Sequence, residues 1–419
     1  MGPQTQAAEA ARLAPALYRE VGELLLWALQ GSPDRESMPA LRPAASIPLV
    51  EVAHRHGIAA IVHDALARAG ALGALGPPAR LGLSDLRLQC AAQHLRLSAE
   101  LAALSATLDG AGIAWAIMKG PAVAALGYAE PNQRYFVDLD ILVPASKLGP
   151  AIDVICQAGA TLLDVNWELQ AELGRSEVGL MLPLGTPLDL HWHPVNDRSA
   201  RATTSLDVGA MLARRRMAAI GGAQRPVLDP ADNVLLVALH AALSSGYRLT
   251  WSKDLQCLAR RHPPDWDLLV ERAAEAGAAL PVGLMLRRAV RLLGAPVPPG
   301  AIAALLGGEP GASLLRWGES LATPTALARG THTGRLLVSS LRASWPASAG
   351  ALVKAAQGYL IATLQAKGAT LGHGQRPSPA QVANPLRTPA GGSLARARYL
   401  AAINQCAEAG AARKRAARR

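Results

Sequence analysis

The apolar positions of this chain change period twice. Leu17, Val21, Leu24, Leu25 and Ala28 recur every three or four residues between Leu13 and Leu29, which predicts an amphipathic helix. The run from Pro48 to Ala71 reads the same way. A third helix is expected from an N-cap near Ser84–Asp85 through Leu88, Ala92, Leu95, Leu101, Leu104 and Leu108 to a stop at Gly110. The pattern then shortens. Ile113–Met118 suits a buried strand, and a helix is expected to start at Pro121 and close at Gly127. Phe136–Val143 reads as a strand with Val137, Leu139 and Ile141 in the core and Asp138 and Asp140 sharing the other face. Lys147–Ala158 is helical, and Val178–Leu182 and Pro187–Trp192 flank a turn at 183–186, a hairpin. From Asp229 the helical period returns, with further helices in TWSKDLQCLARR, from Asp265–Trp266, and in PVGLMLRRAVRLLG, stopped by Gly294 and Pro296.

This order predicts an α+β protein in which a small mixed sheet of about three to five strands is embedded between helical regions. The expected parts are an N-terminal helical region over 1–109, an α/β core over 110–200 and a helical domain over 201–300. A C-terminal helical extension follows over 301–367, then a Gly/Pro-rich linker and basic tail over 368–419.

Composition narrows the class. Half of the 419 residues are hydrophobic and 17% are charged, which excludes global disorder. No stretch of about 18 uncharged apolar residues exists, so no membrane-spanning helix is expected. The first residues lack the basic and apolar regions of a secretion signal, and the four cysteines stand far apart with no CxxC pair. A cytoplasmic protein with reduced thiols is the expectation. The net charge of +11 suggests nucleic acid, but lysine occurs at only six positions, so the excess is arginine in an Ala- and Gly-rich chain. Much of it sits in the last seven residues, a tail suited to non-specific phosphate contact. Sequence-specific nucleic-acid binding is not expected.

Candidate chemistry gathers in the strand-rich segment. Asp138 and Asp140 stand two apart on one strand face, where like charges repel unless a cation neutralises them. Hard oxygen ligands of this kind suit Mg²⁺ together with substrate phosphates. Asp189, in the alternating run TPLDLHW, shares a face with His191. If the two strands are neighbours, three carboxylates can hold a pair of Mg²⁺ ions for in-line phosphoryl-type displacement, with His191 beside them as ligand or support. Lys119 and Gly120 stand at a strand-to-helix turn, where a glycine admits close backbone approach and a helix N-terminus favours an anion. Lys119 and Arg134 could then neutralise a triphosphate. A zinc pair from His191 and His193 lacks further ligands to complete it.

IMKG at 117–120, Arg134, DLDILV at 138–143 and LDLHW at 188–192 resemble an uncharacterised branch of bacterial nucleotidyltransferases in the DNA polymerase β-like superfamily. HRHGIAAIVHDAL (54–66), LHAALSSGYRLTWSKDLQCL (239–258), DWDLLVERAAEAG (265–277) and LLGAPVP (292–298) resemble that family's flanking helices, so the similarity covers about residues 20–300. The superfamily usually carries Gly-Ser or Gly-Gly at the first motif, where this chain has Lys119–Gly120. The resemblance implies Asp138, Asp140 and Asp189 as catalytic metal ligands, Asp189 also serving as base for the acceptor hydroxyl. Lys119, Gly120, Arg134 and His191 are the expected substrate- or phosphate-binding residues, from their order and spacing around these carboxylates. His240, Lys253 and Asp254 fall in the matching helical part, as cleft residues or as helix packing and a surface ion pair. The partners would be an NTP and an unidentified acceptor, whether small molecule, peptide or protein. A catalytically idle nucleotide-binding or antitoxin-like module of the same fold is the alternative, and a helical interaction protein with an incidental DxD is a third.

Overall fold

The computed structural model describes residues 3–30, 34–307, 322–329, 348–353 and 384–417. The N-terminal helices are α1 (Pro3–Leu29), α2 (Ser46–Arg55), α3 (Ala59–Arg68) and α4 (Pro77–Gly110). The single helical run expected over 48–71 is broken at Gly57, whose φ of 68° turns the chain between α2 and α3. The helix expected from Ser84–Asp85 starts earlier, at Pro77, because prolines at its first turn sacrifice no helical hydrogen bond. Its buried face is Leu83, Cys90, Leu97, Leu101, Leu104 and Leu108, whereas Leu88 and Leu95 are 68% and 76% exposed.

The next helices are α5 (Gly120–Gly127), α6 (Leu148–Gln157), α7 (Trp167–Leu173), α8 (Arg198–Thr203) and α9 (Val208–Ala213). The strands are β1 (Ala116–Ile117), β2 (Leu139–Leu142), β3 (Thr161–Leu162), β4 (Glu177–Met181), β5 (Pro187–His191), β6 (Arg216–Ile220) and β7 (Ala223–Val227). They form one mixed seven-stranded sheet in the order β3-β4-β5-β2-β1-β7-β6. This exceeds the sheet expected within 110–195. Strands β6 and β7 were missed because Arg216, Met217, Gln224 and Arg225 break apolar alternation, while Gly221 and Gly222, both at positive φ, close the hairpin. β7 then pairs in parallel with β1 through Ile117 and Val227.

The helices that follow the sheet are α10 (Pro230–Leu243), α11 (Leu249–Arg261), α12 (Trp266–Glu275), α13 (Ala279–Leu293) and α14 (Pro299–Leu306). Asp229 and Asp265 cap α10 and α12 through their side chains, and Gly294 ends α13 in the left-handed conformation. No helix among the described residues is long and apolar enough to cross a membrane. Most of 301–367 and the stretch 368–383 lie outside the described residues.

Two apolar clusters divide the molecule. One joins α1–α3 to α10–α14. The other lies under the sheet, where Leu139, Ile141, Val178, Leu180, Leu188 and Leu190 meet α4 and α6. The second cluster also contains Tyr399 and Ile403, so the segment expected as a linker and tail instead supplies a helix, Gly392–Ala417, that packs on the sheet unit. Tyr399 donates to the Arg175 carbonyl at 3.1 Å and accepts from the Trp192 indole at 3.3 Å. The opposite face turns Ala116, Met118 and Leu142 into the helical cluster and carries Asp140, Asp189 and His191 beside them.

Candidate active site

The centre of the polar face is set by register. In the parallel β2–β5 pair, Asp140 is the Cα partner of Asp189 and Leu142 that of His191. In the antiparallel β4–β5 pair, Glu177 stands opposite His191 and Gly179 opposite Asp189. Directly opposed residues project to the same face, so Asp140, Asp189, His191 and Glu177 share it. The β4–β5 turn is anchored from α4, where the buried Glu100 carboxylate accepts from the backbone N–H groups of Leu184 and Thr186. Gly179 leaves the place beside Asp189 free of a side chain; a Cβ there would stand 3.1 Å from Asp164 Oδ2.

Asp140, Asp189 and His191 can each offer one ligand atom such that all lie within 4.8 Å of one another, a spacing compatible with a shared metal ion. Lys119 Nζ is 2.7 Å and His191 Nε2 3.0 Å from the same Asp140 oxygen, Oδ1. Burial opposes ionisation of Asp140, but Lys119 and His191 outweigh it and hold the carboxyl well below the usual carboxylate range. Burial also opposes the Lys119 charge, and Asp140 outweighs that, raising the ammonium above its ordinary value. Among the described residues no lysine or arginine pairs with Asp189, and His191 offsets its burial only in part. Burial, then the neighbouring Glu177 and Asp140 charges, push it up to about 7. Asp138 is raised by burial and by Asp140. The donor set, two crowded carboxylates of which one is paired with an internal lysine, together with an imidazole, fits a divalent cation.

The expected site residues separate into two groups. Lys119, Asp140, Asp189 and His191 converge. Asp138 stands just before β2, outside the Asp140–Asp189–His191 cluster, because the strand begins at Leu139 rather than Phe136. Val137, expected in the core, is 45% exposed for the same reason. Gly120 contributes backbone: its φ is 32°, and a Cβ would meet Phe136 at 3.3 Å. The α5 N-terminus offers an anion little, since Pro121 has no N–H and those of Ala122 and Val123 bond to the Lys119 carbonyl.

Arg134 is the clearest departure from expectation. Its guanidinium is committed to Asp254 on α11, Nε to Oδ1 at 3.0 Å and Nη2 to Oδ2 at 2.8 Å, and Tyr128 donates to the same carboxylate at 2.7 Å. Arg134 and Asp254 are both buried, so they tie the sheet unit to α11 instead of meeting a phosphate, and Asp254 is no surface ion pair. Lys253 turns away, donating to the Leu29 carbonyl at 2.7 Å. His240 packs edge-to-face on Trp251, its ring pushed down to about 3 by burial and then by Lys119. Sequence reasoning missed Glu177. It opens β4, is held by Arg175 and by Asn196 Nδ2 at 2.6 Å, and places Oε2 3.5 Å from His191 Nδ1. A polar residue at the strand start facing LDLH was the available signal.

A family model described as uncharacterised nucleotidyltransferase matches residues 47–294, more than half of the chain. Among solved structures, the chain is similar to an antigenic nucleotidyltransferase-like protein from Paracoccidioides brasiliensis at 16% identity and a TM-score of 0.26, covering 51% of this chain and 92% of that one. No curated protein matches.

Proposed function

Because this chain belongs to the uncharacterised nucleotidyltransferase family, we propose that it moves a nucleotidyl group from an NTP to an acceptor still to be identified. The observation that carries this reading is the register that sets Asp140 beside Asp189 on the face bearing Lys119 and His191. In the proposed reaction the acceptor oxygen attacks the α-phosphorus, the bond to the β-phosphate breaks, and pyrophosphate leaves. Asp140 and Asp189 would hold the cation, and Asp138, at the mouth of β2, would meet the Mg²⁺ that arrives with the nucleotide. Divalent cations at such a site neutralise charge developing on the transferring phosphate and favour the acceptor alkoxide. Asp189, beside Asp140 on this face, would also be the group that takes the acceptor proton. Lys119 would exchange its contact with Asp140 for the triphosphate, while Gly120 lets the backbone approach. A cytoplasmic supply of NTP goes with this reading.

One observation favours the idle-module alternative: Lys119 already neutralises Asp140, standing where the superfamily's first motif usually has small residues. The two readings part on label transfer from an α-labelled NTP in cell lysate. Wild type should label an acceptor and release pyrophosphate. Asp140→Asn and Asp189→Asn should be about a thousandfold slower, equivalent to roughly 4 kcal/mol of lost transition-state stabilisation. NTP binding without any transfer would support the idle module.

A further inference from the structure

We propose that the outward face of α4 pairs with α4 of a second copy of this chain, the two helices running antiparallel about a two-fold axis near Cys90. The protein is then a homodimer, whatever reaction its sheet unit performs.

Helix α4 is apolar on two sides. Leu83, Cys90, Leu97 and Leu104 recur on one side and are buried within the molecule. Leu81, Leu88 and Leu95 recur at the same heptad interval on the other side and are 61%, 68% and 76% exposed. Between and beyond them stand Asp85, Ala92, Ala99, Ala102 and Ala106, all exposed. The steps along this seam alternate between four residues and three, which keeps it straight along the helix for about 38 Å. Single exposed leucines need no explanation, but three in one seam with alanines between them mark a surface that another element covers.

The seam is complementary to itself. Leucine holds one of its two heptad positions and alanine most of the other. A parallel pair would oppose leucine to leucine and alanine to alanine. An antiparallel pair opposes leucine to alanine, large against small. With the axis near Cys90, Leu88 meets the second copy's Ala92, and Leu81 meets its Ala99.

Charge selects that register. Leu95 then lies against the second copy's Asp85, and Arg96, next along on the seam's flank, reaches the same carboxylate. The two-fold axis makes this ion pair twice. Neither group has such a partner at home. Among the described residues Asp85 and Arg96 form no ion pair; the Arg96 guanidinium donates to the Gln93 side chain, and its Nε makes no hydrogen bond. A strip of this length and about 10 Å wide lies at the small end of specific interfaces, so the dimer should depend on concentration.

Sedimentation equilibrium of the purified full chain between about 1 and 200 μM tests this. Wild type should pass from monomer to dimer over that range. Leu88→Gln should weaken the dimer at least about tenfold, because both copies lose a leucine from the contact. Asp85→Arg should weaken it as well, by setting like charges together. Asp85→Arg with Arg96→Asp should restore the wild-type constant, a rescue that a parallel pair, which holds the two positions apart, would not show. Leu88 and Asp85 are exposed, so the melting temperature of the monomer should not move in either single variant. Should the double variant fail to fold by that measure, the two single variants decide. A wild type still monomeric at about 200 μM would overturn the proposal and leave the seam to a different protein. A dimer unaffected by Leu88→Gln, or an Asp85→Arg defect that a folded double variant does not repair, would overturn it too.

Discussion

Asp140 and Asp189 are Cα partners across the parallel β2–β5 pair, yet their surroundings shift the two carboxyls in opposite directions. Asp140 has Lys119 at 2.7 Å. Asp189 has Glu177 and Asp140 for company, and burial with those charges brings it to about 7 from an ordinary carboxylate value of 3.8. Between these values the folded protein keeps a proton that the unfolded chain has released, so this group's contribution to stability falls as pH rises through 7. In EDTA at pH 8, Asp189→Asn should therefore be more stable than wild type by roughly 1–3 kcal/mol, the gap closing as pH falls toward about 4. Saturating divalent cation should reverse the order. Denaturant titrations at the two pH values, with and without metal, measure this.

His240 titrates with the opposite sign. Its ring is pushed down to about 3, so below its ordinary value of 6.5 the unfolded chain gains a proton that the folded protein refuses. Stability from this group is present above about 6.5 and is lost progressively as the pH falls toward 3. His240→Gln should flatten the acid limb of the stability profile, and urea midpoints between those pH values follow it directly.

The Arg134–Asp254 pair is buried, bidentate and further tied by Tyr128. Removing one partner of such a pair leaves an uncompensated buried charge, so Arg134→Met should cost about 3–5 kcal/mol. Arg134→Met with Asp254→Leu should recover most of that loss, and a double-mutant cycle on melting temperature gives the coupling. A protein that keeps its melting temperature in Arg134→Met but binds NTP weakly would restore the phosphate role expected from sequence.

The C-terminal helix contributes through its first half. Tyr399→Phe removes a hydroxyl that bonds to the Arg175 carbonyl and the Trp192 indole, and should cost about 1 kcal/mol. Truncation before Glu408, which is exposed, should leave the melting temperature nearly unchanged, whereas truncation before Gly392 should lower it sharply. Calorimetry of the three proteins separates these outcomes.

Local period made much of this molecule legible. The capped helices from Asp229 and Asp265 appear where the sequence places them, because side-chain caps and apolar spacing are local facts. The hairpin bearing Asp189 was readable for the same reason. What escaped depends on partners distant in the chain. β6 and β7 have no alternating pattern and are strands through pairing with each other and with β1. Arg134 reads as a free cation until α11 brings Asp254 to it from 120 positions away. Asp138 looks equivalent to Asp140 in DLD, but the late start of β2 gives them different neighbours. Glu177 has no motif, and only the β4–β5 register sets it opposite His191.

The most direct test of the account is equilibrium binding of a non-hydrolysable NTP analogue to wild type and Asp140→Asn, each with divalent cation and with EDTA. Cation-dependent binding by wild type, weakened at least about tenfold, or by 1.4 kcal/mol, in Asp140→Asn is the predicted result. Equal binding in EDTA, or equal binding by the folded Asp140→Asn protein, would contradict it.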